Sequence, residues 1–228
     1  MNHGYSNFQI VPAPFAVLAF LGFGFLEVIA VASAVWGVVT RRPRLARIAR
    51  ASGAVAAVVY LAALVGLSAF SRERVLDPGE EKYFCEVDCH LAYSVVAVQS
   101  AGTRQAVTLR VRFDEDTIAP WRPRGLPLAP NSRLVRVVDA EGRAYAPEGE
   151  AGRDALRAQP LRPGESYPAR LVFELPEGMK DARLSITEAA WPTSLLLGHE
   201  NGFFHRKVSF RLSSPSPSPP GEGRGEEL

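Results

Sequence analysis

The chain has 228 residues, a formal net charge of +2 and a mean hydropathy of +0.00. This length predicts one or two domains. The hydrophobic content is too high for an intrinsically disordered chain, and the surplus of Lys and Arg is too small for a strongly basic nucleic-acid-binding protein. Two cysteines are too few for a disulfide-rich mini-protein. These averages combine segments of very different composition.

Two long apolar segments stand near the N-terminus: residues 11–40, with Glu27 as their one charge, and residues 51–71, with no charge. A helix needs about 20 mostly apolar residues to cross a hydrocarbon core of ~30 Å. A cleaved signal peptide would need a basic start and a shorter apolar stretch, whereas residues 1–10 contain no Lys or Arg. The prediction is a short outward N-terminus at 1–14 and a transmembrane hairpin at 15–70, with helices at 15–39 and 53–70.

The segment between these helices, 40–51, carries a concentrated positive charge. Its arginines have no acidic residue among them: Arg41, Arg42, Arg44, Arg47 and Arg50. Short loops rich in Lys and Arg stay on the cytoplasmic side, so both termini are predicted outside the cytoplasm of a bacterium. Residues 71–212 hold 20 basic and 20 acidic side chains, so the positive balance is a topology signal. It does not indicate an anionic ligand or a nucleic-acid partner.

Glu27 lies near the middle of the first predicted span. A charged carboxylate there costs about 2.5–3.5 kcal/mol on insertion scales, so Glu27 is expected to be protonated or to face a partner. A hairpin folded about the 40–51 loop would bring it level with Leu64, with the hydroxyls of Tyr60 and Ser68 one turn to either side. Structural pairing or self-association through the helices is the favoured interpretation, and a proton relay is the alternative.

Residues 71–81 are predicted to be a linker, and residues 82–212 an extracytoplasmic domain of strands. Apolar and polar residues alternate there with the period of a strand, in segments at 83–97, 107–113, 134–138, 169–175, 184–186 and 204–212. One turn of helix is expected at 151–158. About seven strands in roughly 130 residues predict an all-β antiparallel sandwich. The Ser-Pro and Gly-Glu repeats at 213–228 predict a disordered tail.

Four motifs of the domain carry a resemblance: VTLRVRF, VVDAEGRAY, LRPGESYPARLVFELPEG and ARLSITE. In this order they resemble the immunoglobulin-like sandwich domains of secreted and membrane-anchored bacterial proteins, and the domain is similar to the mycobacterial secreted-antigen sandwich family. The resemblance covers about residues 82–212 and implies an immunoglobulin-like fold. Since that group is mostly of unknown function, the resemblance implies no catalytic residues.

The segment Cys85-Glu-Val-Asp-Cys89-His90 is the most chemically informative part of the domain. As a metal site for copper or zinc, it would use Cys85, Cys89 and His90, with His199 or His205 completing the set. The C-x-x-x-C spacing after two membrane helices resembles cytochrome oxidase subunit II and copper-delivery proteins. In that motif, however, a His and a Met follow the second Cys, and Tyr93 and Val96 stand at those places here. Covalent haem is disfavoured because its usual signature, C-x-x-C-H, is one residue shorter.

Two structural alternatives compete with the metal site. On a regular strand Cys85 and Cys89 would lie ~13 Å apart, which is too far for a disulfide, and both would be buried thiols with His90 on the opposite face. A bulge or turn at 86–88 would instead let them pair, as nearby thiols in an oxidising compartment tend to do. The disulfide is the favoured alternative. His199 is predicted on a loop surface, and His205 on the polar face of the last strand.

No nucleophile elbow, Gly-rich phosphate loop or zinc-protease motif occurs in the sequence. The function predicted is therefore that of a non-enzymatic, membrane-anchored module that binds a protein or another envelope component, without a cofactor. The alternative is a copper- or zinc-handling accessory protein that uses the cysteine–histidine cluster.

Overall fold

The computed structural model describes residues 5–85, 89–118, 126–149, 156, 160–188 and 191–212. In these residues the chain forms a helical hairpin and two β-sheets. The helices are α1 (Ala13–Val39) and α2 (Pro43–Ala69). The strands are β1 (Tyr5–Ser6), β2 (Arg74–Leu76), β3 (Lys82–Phe84), β4 (Leu91–Ala101), β5 (Arg104–Phe113), β6 (Arg133–Val138), β7 (Ala144–Tyr145), β8 (Ser166–Glu174), β9 (Arg183–Glu188) and β10 (Val208–Arg211). The predicted tail and most of the predicted helical turn at 151–158 lie outside the described residues.

Both helices are long and apolar enough to cross a membrane, with 27 residues each and mean hydropathies of 2.4 and 2.0 over an 18-residue window. The second begins ten residues earlier than the sequence predicts. Pro43 starts it, as proline is favoured in the first turn of a helix. The predicted loop at 40–51 is therefore wrong, because only residues 40–42 separate the helices. The prediction began the second helix only after Arg50, because an apolar segment excludes arginine. Arginine is nevertheless a good helix former, so the helix extends back through the arginines to Pro43.

The two helices pack closely through glycines. A Cβ atom at Gly37 would lie 2.7 Å from the backbone nitrogen of Ala46, and one at Gly53 would lie 3.1 Å from Oε2 of Glu27. Glycine at these positions therefore lets the backbones approach, as small residues do in membrane helix pairs. Because the turn lies at residues 40–42, Gly53 stands opposite Glu27, and the predicted pairing of Glu27 with the level of Leu64 is wrong.

Replacing Gly37 with Ala is expected to destabilise the hairpin by about 1–3 kcal/mol, because the added methyl group overlaps the α2 backbone. Unfolding of the full chain in mixed SDS and nonionic detergent micelles, followed by circular dichroism, measures the effect. Gly24→Ala is the matched control, since a Cβ atom at Gly24 meets nothing within 4 Å. Equal midpoints for the two variants would contradict the close approach.

The strands form two five-stranded sheets in the described residues. The first has the order β1-β3-β4-β5-β8, and the second has the order β2-β10-β9-β6-β7. Most pairs are antiparallel, but β1 pairs with β3 and β2 pairs with β10 in parallel. The prediction of a purely antiparallel domain is therefore wrong at the two strands that flank the hairpin. These strands have two and three residues, too few to show an alternation in the sequence.

The main core lies between the inner faces of the two sheets. The alternation predicted for β5 and β8 is confirmed, because Val107, Leu109, Leu171 and Phe173 are all fully buried. Strands β6 and β7 form an antiparallel hairpin. In β4 a change of register between Val95 and Ala97 breaks the regular alternation. The core thus follows the alternation of the sequence wherever the strands are regular.

The last strand is shorter than predicted. It begins at Val208, whereas the sequence pattern starts it at Phe204. The side chain of Phe204 is exposed and not inward, and its backbone has a φ of 63°. This left-handed conformation is rare for a residue with a side chain and ends any extended segment there. Residues 199–205 instead form turns that pass the end of α2.

Candidate functional site

The two structural parts meet at a junction formed by residues 5–11, 82–85, 89–92, 186–188 and 191–205 together with the first turn of α1. A small apolar cluster lies there, separate from the main core, and consists of Phe8, Ala13, Ala16, Tyr83, Cys85 and Ala92. Cys89, Leu196 and Leu197 pack against it. Because Ala13 and Ala16 belong to α1 and Ala92 to β4, this cluster attaches the first helix directly to the first sheet.

Asn7 binds the N-terminal segment to the β domain. It is fully buried, and its side-chain amide donates to the carbonyl of Cys85 at 3.1 Å and to Oε1 of Glu188 at 2.9 Å. Its Oδ1 accepts from the backbone N–H of Cys85 at 2.8 Å, and its carbonyl accepts from the backbone N–H of Glu200 at 2.8 Å. The Asn7 side chain thus connects the segment before α1 to Cys85, directly after β3 of the first sheet, and to Glu188, the last residue of β9 in the second sheet.

A buried ion pair lies beside Asn7. Nζ of Lys82 is 2.7 Å from Oε2 of Glu200, and neither side chain has any exposed surface. The Lys82 ammonium also donates to the carbonyls of Ile186 at 2.6 Å and Val208 at 3.2 Å. All three of its donors therefore have acceptors, which is the condition under which a charge is tolerated in a protein interior.

His199 extends this polar cluster toward Glu188. Its Nδ1 accepts from the backbone N–H of Asn201 at 3.0 Å, so in the neutral ring the proton is on Nε2, which lies 3.3 Å from Oε2 of Glu188. Arg133 stands 3.6 Å from the other oxygen of Glu188 and lies over the ring of Phe84. The result is a closed set of charges in which each carboxylate faces a cation or a hydrogen-bond donor.

Cys85 and Cys89 are joined by a disulfide, with their Cα atoms 4.0 Å apart. Of the three sequence alternatives, the structure therefore has the pairing that needs a turn between β3 and β4. A continuous strand from Tyr83 to Ala97 does not form, because β3 ends at Phe84 and β4 runs back beside it. Both sulfurs are used by this bond, and the bridge lies against α1 in the apolar cluster.

The three histidines of the alternative metal site take part in other contacts. His90 lies 2.7 Å from Oγ1 of Thr117 through its Nδ1, His199 is held by Glu188 and Asn201, and His205 lies 2.9 Å from the carbonyl of Arg206 through its Nδ1. All three are buried, so the predictions of a surface position for His199 and His205 are wrong. In the described part of the chain no group of three or more His, Cys, Asp and Glu is placed to hold a metal ion.

The predicted intramembrane contacts of Glu27 also differ from the structure. The Tyr60 hydroxyl donates to the carbonyl of Leu195 at 2.7 Å, and the Ser68 hydroxyl donates to the carbonyl of Leu64 at 2.8 Å. Neither contacts Glu27, whose carboxyl group instead faces Gly53 and leaves Oε1 without a hydrogen bond. The sequence could not place the turn of the hairpin, and an error of a few residues there moves every facing pair.

A second polar group lies on the outer face of the first sheet. Arg112 donates to both carboxylate oxygens of Glu81 and contacts Asp114 at 3.2 Å, and the Tyr83 hydroxyl donates to Asp114 at 2.5 Å. Burial raises the pKa of Asp114, but the hydrogen bonds from Tyr83 and Arg112 outweigh it and hold that pKa below its usual value. Burial and the bond to Asp114 raise the pKa of Tyr83. At neutral pH the Asp114 carboxylate and the Arg112 guanidinium therefore stay charged and the Tyr83 hydroxyl stays protonated, and these groups connect β3 to β5 across β4.

His205 makes stability depend on pH. Burial lowers its pKa below the ordinary value of 6.5. Between the ordinary and the lowered pKa the unfolded chain binds a proton that the folded chain does not, so stability falls as the pH decreases through this window. We expect the free energy of unfolding to decrease from about pH 7 toward pH 5, and His205→Gln to reduce this slope. Urea unfolding at several pH values measures it, and an unchanged slope in the variant would contradict the assignment.

The buried polar residues at the junction were not predicted from the sequence. Lys82 and Glu200 are charged side chains next to predicted loops, where exposure is the usual expectation. Asn7 lies in the segment 1–14, which was predicted only to be a short outward N-terminus. One signal was present, because Lys82 continues the alternation of the first strand on its polar face beside Tyr83. That signal does not distinguish a buried face from a solvated one.

No protein-family model matches the chain, and no curated protein matches it. Among solved structures, the chain is similar to the yjhA protein from Bacillus subtilis, with a TM-score of 0.35 and 10% sequence identity over 61% of this chain and 100% of that chain. A similarity at this level supports no conclusion about fold or function. The class of protein that the structure defines is a two-helix apolar hairpin joined to a domain of two β-sheets.

Proposed function

We propose that the chain is a membrane-anchored, extracytoplasmic, non-enzymatic binding module. The observation that carries this proposal is the junction, in which β1, Asn7 and the first turn of α1 are built into the β domain. A domain on a flexible tether would lack such contacts. Here the sheets are held at a set orientation against the ends of the helices, as suits a module that presents a binding surface at a fixed height above a membrane.

The orientation is proposed from two independent features. The arginines lie in the turn between the helices and on the first two turns of α2, at the end remote from the β domain: Arg41, Arg42, Arg44, Arg47 and Arg50. Positive charge at that end favours a cytoplasmic turn. The disulfide at the opposite end favours an oxidising compartment for the β domain. Both features support a position of the β domain and of the segment before α1 outside the cytoplasm.

We also propose an immunoglobulin-like topology for the β domain. Its antiparallel strands follow the order β4-β5-β8 in one sheet and β10-β9-β6-β7 in the other. In immunoglobulin domains strands A, B and E share one sheet, and strands C, F and G share the other, to which variable-type domains add C′. Equating β4, β5, β6, β7, β8, β9 and β10 with A, B, C, C′, E, F and G reproduces that order. Domains of this architecture commonly serve in recognition at cell surfaces.

Binding is favoured over catalysis because the unusual charges of the domain are enclosed. Lys82 and Glu200 have no exposed surface, and His199 is buried against Glu188. A substrate could not reach these groups without opening the junction. The groups support the fold, and the outer surfaces of the sheets remain for a protein or another envelope component.

Reporter fusions test the orientation. Alkaline phosphatase, which is active only outside the cytoplasm, is expected to be active after Gly102 in the β4–β5 turn and inactive after Arg41. Green fluorescent protein, which fluoresces when folded in the cytoplasm, is expected to give the opposite result. A reversed pattern would overturn the proposed location.

Photo-crosslinking in cells tests the binding function. A photoreactive residue in place of Ser100, at the β4–β5 end remote from the disulfide, or of Glu141, in the β6–β7 hairpin, is expected to give a discrete adduct with an envelope component from at least one position. A hydrolytic or redox activity of the purified full chain, with no adduct from either position, would contradict the proposal.

Elemental analysis separates this function from copper or zinc handling. The full chain is purified without chelators, with and without a thiol reductant, beside the Cys85→Ser/Cys89→Ser variant. The binding-module proposal expects no stoichiometric metal in any sample. About one equivalent of copper or zinc in the reduced wild-type chain, absent from the variant, would favour the alternative.

A further inference from the structure

One segment of the β domain lies alongside the helices instead of above them. The Tyr60 hydroxyl donates to the carbonyl of Leu195 at 2.7 Å, and the ring of Tyr60 stacks on Phe23 with centroids 4.3 Å apart. Tyr60 stands nine residues before the end of α2, and Phe23 ten residues after the start of α1. At 1.5 Å per residue, both lie about 14–15 Å from the helix ends that meet the β domain.

The charges of α2 indicate how the helix sits in a bilayer. Arg50 is its last charged residue, and the 19 residues from 51 to 69 carry no charge. They span about 28 Å as a helix, which is close to the ~30 Å of a hydrocarbon core. The whole uncharged stretch is therefore needed to cross the core, with Phe70 at the outer boundary. Tyr60 then lies well inside the hydrocarbon, and so does the carbonyl that it binds.

We infer that residues 191–197 form a re-entrant segment that enters the outer leaflet beside the hairpin. The inference rests on the proposed membrane anchoring of α1 and α2. The segment, Trp-Pro-Thr-Ser-Leu-Leu-Leu, has no charge. Its first five residues form a 3-10 helix, Trp191–Leu195. Leu196 and Leu197 pack on the apolar cluster that contains Ala13 and Ala16 of α1.

Irregular backbone is tolerated at membrane depth only where its polar groups have partners, and this segment meets that condition at the atoms described. The Leu196 N–H donates to the carbonyl of Thr193 at 3.2 Å, and the His199 N–H donates to the carbonyl of Leu196 at 3.3 Å. The Thr193 hydroxyl oxygen accepts from Asn201 at 2.9 Å. The Leu195 carbonyl has its partner in Tyr60, which is the reason for a hydroxyl group at that depth of α2.

The ends of the segment return to the junction. Glu188 precedes it and His199 follows it, and their side chains lie 3.3 Å apart, so the chain leaves and re-enters the β domain at one place. Four large apolar side chains around the outer boundary are exposed, namely Ile10, Phe70, Phe203 and Phe204, and the charged residues Arg72 and Arg206 are exposed beside them. The apolar side chains are compatible with lipid and unfavourable in water.

Fluorescence quenching by lipids tests the depth of this segment. Because the two native cysteines are joined, a single introduced cysteine can be labelled with a nitrobenzoxadiazole dye. We choose Leu195→Cys for the segment, Leu21→Cys in α1 as a control for insertion, and Ser100→Cys at the far end of β4 as a control for the exposed domain. Leu21 has an exposed side chain and lies two residues from Phe23, which stacks on Tyr60. Each full-length variant is reconstituted in phosphatidylcholine vesicles that contain lipid with a nitroxide on the headgroup or on acyl carbon 12.

At positions 195 and 21 the acyl nitroxide is expected to quench more than the headgroup nitroxide, and at position 100 neither is expected to quench. Quenching at position 21 with none at position 195 would overturn the re-entrant segment while leaving the membrane anchor intact. Absence of quenching at position 21 would overturn both. Tyr60→Phe, which removes only the hydroxyl group, is expected to shift quenching at position 195 toward the headgroup nitroxide without a change at position 21.

Discussion

The Glu200→Gln variant is expected to lose about 3–5 kcal/mol of stability in the β domain, because it leaves the ammonium of Lys82 buried without a counter-charge. The pair has no exposed surface, so water cannot solvate the remaining charge. A loss of this size is a large fraction of the stability of an ordinary domain, which is about 5–15 kcal/mol. Urea unfolding of the full chain in detergent micelles, followed by near-ultraviolet circular dichroism, measures it.

The matched control for this variant is Glu148→Gln. Glu148 pairs with Arg104 on the surface, where 66% of the Arg104 side chain is exposed, and such pairs contribute about 0–1 kcal/mol. The double variant Lys82→Met/Glu200→Leu is expected to recover much of the lost stability, because it removes both charges together. If Glu200→Gln were no more destabilising than Glu148→Gln, the pair would not be enclosed as described.

Asn7→Ala is expected to cost on the order of 4 kcal/mol, because it leaves the N–H and carbonyl of Cys85 and one oxygen of Glu188 without their partner. The amide of Cys85 is expected to lose its protection from hydrogen exchange, since the oxygen that accepts from it is removed. Urea unfolding and hydrogen exchange of the full chain measure the two effects. Release of the N-terminal segment would separate α1 from its strongest polar contact with the β domain.

Gln9→Ala is the control in the same segment. Gln9 binds Arg72 and the carbonyl of Arg206 near solvent, so its loss is expected to cost only about 0.5–1.5 kcal/mol per bond. Asn7→Asp keeps Oδ1 but places a carboxylate where the amide lies 2.9 Å from Glu188, and it is expected to be less stable than Asn7→Ala at neutral pH and to recover in acid. Equal stability of the Asn7 and Gln9 alanine variants would show that the buried contacts carry no special weight.

The regular parts of the fold could be predicted because local pattern and burial agree there. The apolar runs around Ala13–Val39 and Pro43–Ala69 exceed the length of a membrane span, and the alternation in β5 and β8 corresponds to buried side chains. A disulfide was the favoured of three alternatives for Cys85 and Cys89. In each case the decisive information lies within a few neighbouring residues.

The junction could not be predicted because its contacts join residues far apart in the sequence. Asn7 contacts Cys85 and Glu188 across separations of 78 and 181 residues, and Lys82 meets Glu200 across 118. No local pattern distinguishes these side chains from solvated ones. The positions of His199 and His205 were wrong for the same reason, since the neighbours that bury them belong to other segments of the chain.

The net charge of +2 and the mean hydropathy of +0.00 are whole-chain values that combine the apolar helices, the arginines at their connection and the neutral β domain. By itself the sequence determined the long apolar segments, the basic segment between them and the alternating strands, because each follows from the composition of a contiguous segment. Only the tertiary structure decided where the hairpin turns, that β1 and β2 complete the sheets, and that residues 191–197 lie beside the helices. These depend on which distant groups satisfy one another's charges and hydrogen bonds, and a linear pattern does not contain that information.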